Sequence, residues 1–75
     1  MSRDDRVTHQ LALVKDEAIS WTLARIGGGR PFAIPKREAS LRHLPGRFEE
    51  GAQGLKWAVV EVEMPRWIAR DRGLE

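Results

Sequence analysis

From Leu55 to Met64 the side chains alternate: Ala58, Val60, Val62 and Met64 fall on one side, and Trp57, Val59, Glu61 and Glu63 on the other. Only an extended strand uses that spacing, because successive side chains of a strand point to opposite faces. β-branched residues suit such a pleated, half-buried surface. One strand cannot stand alone in water, so the remaining chain must supply partner strands and a cover for the apolar side.

The partners are visible upstream. Ile19, Trp21 and Leu23 alternate with Ser20, Thr22 and Ala24, which predicts a second strand. Gly27, Gly28 and Gly29 then permit the positive φ values of a tight reversal, and Phe32-Ala33-Ile34 reads as the returning strand of a hairpin. Pro31 and Pro35 bracket that strand and cannot donate ladder hydrogen bonds, which predicts a place at the sheet edge. Val7 to Val14 fits both periods: Val7, Leu11 and Val14 suit a helix, while Val7, His9, Leu11 and Leu13 suit a strand. Ser2 with Asp5 could cap a helix there, but the Val and Thr content and the strand that follows the polar break Lys15-Asp16-Glu17 favour a strand.

Between Lys36 and Gly54 the pattern loosens into one helical turn after Pro35, then Leu41 and Leu44, then the breakers Pro45, Gly46, Gly51 and Gly54. The expectation is a long basic loop over 36–54, of a length that in so small a domain marks either a functional segment or a tether. At the C-terminal end Pro65 suits the first residue of a helix, Trp67, Ile68 and Ala69 fill its turn, and Gly73-Leu74 predicts a Schellman cap. Arg70 and Arg72 would favour the negative end of its dipole.

These elements add up to a mainly β (α+β) fold, a small antiparallel sheet or partial barrel with a short C-terminal helix. The 75 residues allow one core, so 1–75 is expected to be a single small domain. Without cysteine, neither a disulfide nor a cysteine-ligated zinc can staple it, and packing must carry the fold. Apolar runs fall far short of the roughly 20 residues that cross a bilayer, and the opening residues lack a signal-peptide core, so a cytoplasmic protein with no membrane partner is expected.

Chemistry-bearing motifs are sparse. Gly27-Gly28-Gly29-Arg30 lacks the lysine and hydroxyl of a phosphate-binding loop and reads as a plain turn. His9 and His43 stand alone, so no metal or cofactor is expected. Ser40, His43 and Glu49 contain the residue types of a nucleophilic triad, but nothing in an irregular loop sets their geometry. Glu61 and Glu63 read as the solvated face of a strand. The expectation is a protein that is not an enzyme.

Charge is more informative. Residues 25–47 hold six Lys/Arg against one acid. Arg25, Arg30, Lys36, Arg37, Arg42 and Arg47, with His43, Trp21 and Phe32 nearby, could neutralise phosphates and stack on bases, or meet an acidic protein surface. The plainer reading is that the cations solubilise the domain and the aromatics are core. Trp57, on the polar face of its strand, is either a hot spot for a protein partner or a second copy of the chain, or it packs beneath the 38–54 segment.

The run from Met64 through Pro65, Arg66, Trp67, Ile68 and Ala69 to Gly73 and Leu74, with Phe32-Ala33-Ile34-Pro35-Lys36, resembles segments of small phage and prophage proteins of uncharacterised function. With the hairpin, the resemblance covers about half the chain; the 38–54 segment departs from it. It implies a mobile-element origin and a β-rich fold, and it brings no catalytic residues. Together these readings lead to an expected non-enzymatic interaction protein that binds a host or phage macromolecular machine stoichiometrically, with an anti-CRISPR-like inhibitor as its sharpest form. The alternative is a nucleic-acid-binding module using the basic 25–47 segment.

Overall fold

The computed structural model describes residues 5–50 and 54–75. The alternating run forms a strand from Lys56 to Pro65, and the ambiguous N-terminal segment is also a strand, β1 (Arg6–Asp16). Between them lie β2 (Ser20–Arg25), β3 (Phe32–Pro35), a single 3-10 turn (Lys36–Glu38) and β4 (Ser40–Glu50), which makes the alternating strand β5. A short helix, α1 (Arg66–Asp71), follows. The strands form one antiparallel sheet in the order β3-β2-β1-β5-β4, with the short helix after it, which is the mainly β architecture that the alternation predicts.

Register explains which side chains make the core. Leu11 pairs with Val60, His9 with Val62 and Val7 with Met64, so the inward positions of β1 and β5 share one face. Leu13 pairs with Leu23, and Trp21 with Ile34, which extends that face to β2 and β3. Leu11, Leu23, Ile34, Val60, Val62 and Met64 are buried there, closed over by Ile68 and Ala69 of α1. Burying each large apolar side chain contributes about 1.5–3 kcal/mol, so this cluster holds the fold without any covalent staple.

The helix ends in the cap that Gly73-Leu74 predicts. Leu74 N–H donates to Ala69 O at 2.7 Å and Gly73 N–H to Arg70 O at 3.1 Å, with Gly73 at φ +76°. These are the two hydrogen bonds of a Schellman motif. Pro65 sits one position earlier than expected, as the last residue of β5 and the N-cap rather than the first helical residue. Arg72 reaches across to β3, its Nε donating to Ala33 O at 2.9 Å, and the Arg25 guanidinium donates to Gly73 O. Side chains thus dock the helix end onto the β2–β3 hairpin.

The expected 36–54 loop is corrected: its described part is the 3-10 turn and β4, an edge strand paired with β5. Pro45 and Gly46 do not end the strand. His43 pairs with Val60 and Phe48 with Ala58, so the four residues Leu44–Arg47 bulge out opposite Val59 alone, with Gly46 at φ +75°. A proline placed in a bulge of an edge strand breaks no interior hydrogen bond. The other edge, β3, is bracketed by Pro31 and Pro35 as expected, so both edges are blunted against strand addition. Ile19 is a second correction: it precedes β2 and is 82% exposed at the tip of the β1–β2 hairpin. Ser2, invoked as a cap, and Gly51, read as a breaker, lie outside the described residues.

The sheet is curled. Residues 36–39 carry the chain from β3 at one edge to β4 at the other, whereas four strand spacings in a flat sheet span ~19 Å sideways before any offset along the strands. Lys36 N–H donates to Ile19 O at 2.9 Å, and Arg6 Nη2 donates to Glu38 O at 3.2 Å, so this turn bridges β2 to the start of β1. Among the described residues no helix is long and apolar enough to cross a membrane.

Candidate functional site

The basic residues of 25–47 are contiguous in sequence but dispersed in space, because strand alternation sends neighbours to opposite faces. Arg42 stands across the ladder from Glu61 and is 2.5 Å from its carboxylate. Lys36 Nζ is 2.6 Å from Asp16 Oδ1 and 5.6 Å from the Trp21 ring centroid. Arg25 is tied to the Gly73 carbonyl. Among the described residues, Arg30, Arg37 and Arg47 have no carboxylate within ion-pair distance, and they sit in three places: the β2–β3 loop, the 3-10 turn and the β4 bulge. Trp21 and Phe32 are half-buried against the core.

The triad residue types do not converge either. Ser40 and His43 both lie on β4, but three positions apart on a strand they face opposite sides, and the bulge separates both from Glu49. His9 Nε2 lies 3.0 Å from Glu75 Oε2, a contact that holds the C-terminal residue against β1. Among the described residues, no group of three or more metal-binding side chains gathers.

Trp57 is different. Its face of the sheet carries the row Ala24, Ala12 and Val59, matched across β2, β1 and β5 by register, and all three are at most 3% exposed. What lies over them is the glycine loop. Gly27 N–H donates to Glu49 Oε1 at 3.1 Å, although β2 and β4 are separated by β1 and β5, so the loop crosses this face. Positive φ at Gly27, Gly28 and Gly29, from +91° to +132°, gives the loop its path and explains the triplet.

The crossing leaves a concavity of about 280 Å³. It is lined by Ala24, Arg25, Gly28, Gly29 and Pro31 on one side and by Trp57, Glu49 and Glu50 on the other. Glu49 and Trp57 are direct partners across the β4–β5 ladder. At the same end of that ladder, Phe48 is 64% and Leu55 57% exposed. A second, shallower hollow of about 500 Å³ lies between Ala18, Ile19, Pro35, Lys36 and Arg37.

Of the seven residues that sequence singles out, the structure therefore brings Arg25 and Trp57 to one concavity, beside the loop that carries Arg30 between Gly29 and Pro31. Lys36 and Arg37 line the other hollow, and Arg42 and Arg47 stand apart on β4. Glu49 and Glu50 were not separable from solvating charge by sequence. Only register places Glu49 against an indole. No protein-family model, curated protein or solved structure matches the chain.

Proposed function

We propose that the chain is a non-enzymatic interaction module that binds a macromolecular partner stoichiometrically through the concave face around Trp57. The observation that carries this reading is the half-buried Trp57 indole in this depression, with Leu55, two residues before it, 57% exposed. An aromatic side chain lining a depression with an exposed apolar neighbour is the composition of an interface centre, where aromatic anchors supply most of the binding energy. The resemblance to phage and prophage proteins supports a host or phage machine as the target, with occupancy of that machine by a small inhibitor, in the manner of anti-CRISPR proteins, as the sharpest form.

Affinity capture from a bacterial lysate tests this reading. Immobilised wild-type chain should retain one partner near one-to-one stoichiometry, and Trp57→Ala, shown to be folded by a cooperative melt, should release it. Recovery of no partner at low salt, or equal recovery by both proteins, contradicts the assignment.

A further inference from the structure

Two tryptophans of this chain stand in matching chemical settings that differ by one component. At Trp21, the Lys36 ammonium lies 5.6 Å from the ring centroid and 2.6 Å from the Asp16 carboxylate. Ring quadrupole and carboxylate both favour the cation, so indole, ammonium and carboxylate form a complete set. Trp57 has the indole and the carboxylate. Glu49 is its direct ladder partner and Glu50 lines the same cavity, while among the described residues the one cation–ring contact is Lys36 over Trp21. Arg25 also lines the cavity and keeps its charge, its guanidinium donating to the Gly73 carbonyl, so Glu49 and Glu50 leave the lining with one surplus negative charge. Glu49 uses Oε1 to accept the Gly27 N–H, and its Oε2 has no hydrogen-bond partner among the described residues.

We propose that the Trp57 cavity takes a lysine or arginine side chain presented by the partner protein, completing at Trp57 the set that Lys36 completes at Trp21. This inference rests on the reading of the concave face as the partner-binding surface. The volume of about 280 Å³ suits one long side chain. Ala24, Gly28, Gly29 and Pro31 provide apolar walls for its methylenes, and the indole and Glu49 meet its charged end. A net charge of +2 gives no long-range attraction for a cation, so recognition comes from the cavity itself.

The test titrates the full chain with N-acetyl-arginine amide and N-acetyl-lysine amide, with neutral N-acetyl-norleucine amide as control. NMR follows the Trp57 indole N–H and the Gly28 and Gly29 amides. Saturable shifts at these positions with a cationic amide, absent with the neutral one, support the proposal. Glu49→Gln keeps an acceptor for the Gly27 N–H and should weaken the cationic probe about tenfold, a difference of ~1.4 kcal/mol. Equal shifts from the neutral amide, no saturable shift from either cationic amide, or undiminished binding by Glu49→Gln overturns it. The same Glu49→Gln protein is put through partner capture. Capture that needs Trp57 but is indifferent to Glu49→Gln overturns this inference and leaves the partner-binding reading intact, whereas failure of the wild-type chain to capture any partner overturns that reading itself.

Discussion

Glu49 and Trp57 occupy paired positions on β4 and β5, so a carboxylate and an indole stand side by side on one face of the sheet. The Gly27 N–H, arriving over two intervening strands, meets that carboxylate at 3.1 Å. The shape of the cavity therefore depends on a loop that belongs to the other half of the sheet, and changes in that loop should be felt at Trp57.

Gly28→Ala tests this dependence. A Cβ at Gly28 would meet nothing within 4 Å, so any cost comes from holding alanine at φ +117°. Stability should fall by about 1 kcal/mol or more, read as a lower urea midpoint at unchanged slope. The Trp57 indole resonance should move as well. An unchanged midpoint means that the loop does not hold the left-handed path.

Val60→Asp tests the core. Val60 has no exposed surface and lies among Leu11, Val62 and Ile68, where a carboxylate finds no partner. The loss should be about 3 kcal/mol or more, enough to abolish the cooperative melt of a domain this small. A melt near the wild-type temperature contradicts the inward assignment of the Ala58, Val60, Val62 and Met64 face.

Arg42 and Arg37 separate paired from unpaired cations. Arg42→Glu places like charges directly opposite each other at Glu61 and should cost about 0.5–1 kcal/mol, less at high salt. Arg37→Glu, on the exposed 3-10 turn, should stay within about 0.5 kcal/mol of wild type. Thermal melts of the two variants at low and high salt check both. Equal, salt-independent losses would contradict the pairing.

Nucleic-acid binding through 25–47 has a limited reserve, because Arg25, Lys36 and Arg42 are engaged within the fold. Arg30, Arg37 and Arg47, the three of this segment without a carboxylate at ion-pair distance among the described residues, allow a slope of log K against log salt of about −3. Filter binding across a salt series measures it. A markedly steeper slope would show a phosphate-binding surface that these residues do not provide.

Much of the fold is legible because period-2 alternation is local information. Trp57 to Met64 reveals β5, the glycine triplet reveals the β2–β3 hairpin, and Pro31 and Pro35 around Phe32-Ala33-Ile34 reveal its edge position. β4 is not legible, because Pro45 and Gly46 carry a loop signature and only pairing with β5 shows that they sit in a bulge. Ile19 fits the alternation of β2, but it belongs to the preceding turn, whose position is set by Lys36 N–H on its carbonyl. The site is less legible still. Trp57 stands out on a polar face by residue type alone, but Glu49 becomes its neighbour only through the pairing of β4 with β5. The basic cluster shows the converse: adjacency in sequence at 25–47 dissolves once successive strands distribute its members over both faces and both edges.

The affinity of the captured partner for wild type and for Trp57→Ala, each confirmed to be folded by a cooperative melt and measured by titration calorimetry, tests the central claim most directly. The account predicts a loss of about 2 kcal/mol, roughly 30-fold in Kd, as expected for an interface anchor. Equal affinities for the two proteins would place the interface elsewhere and contradict it.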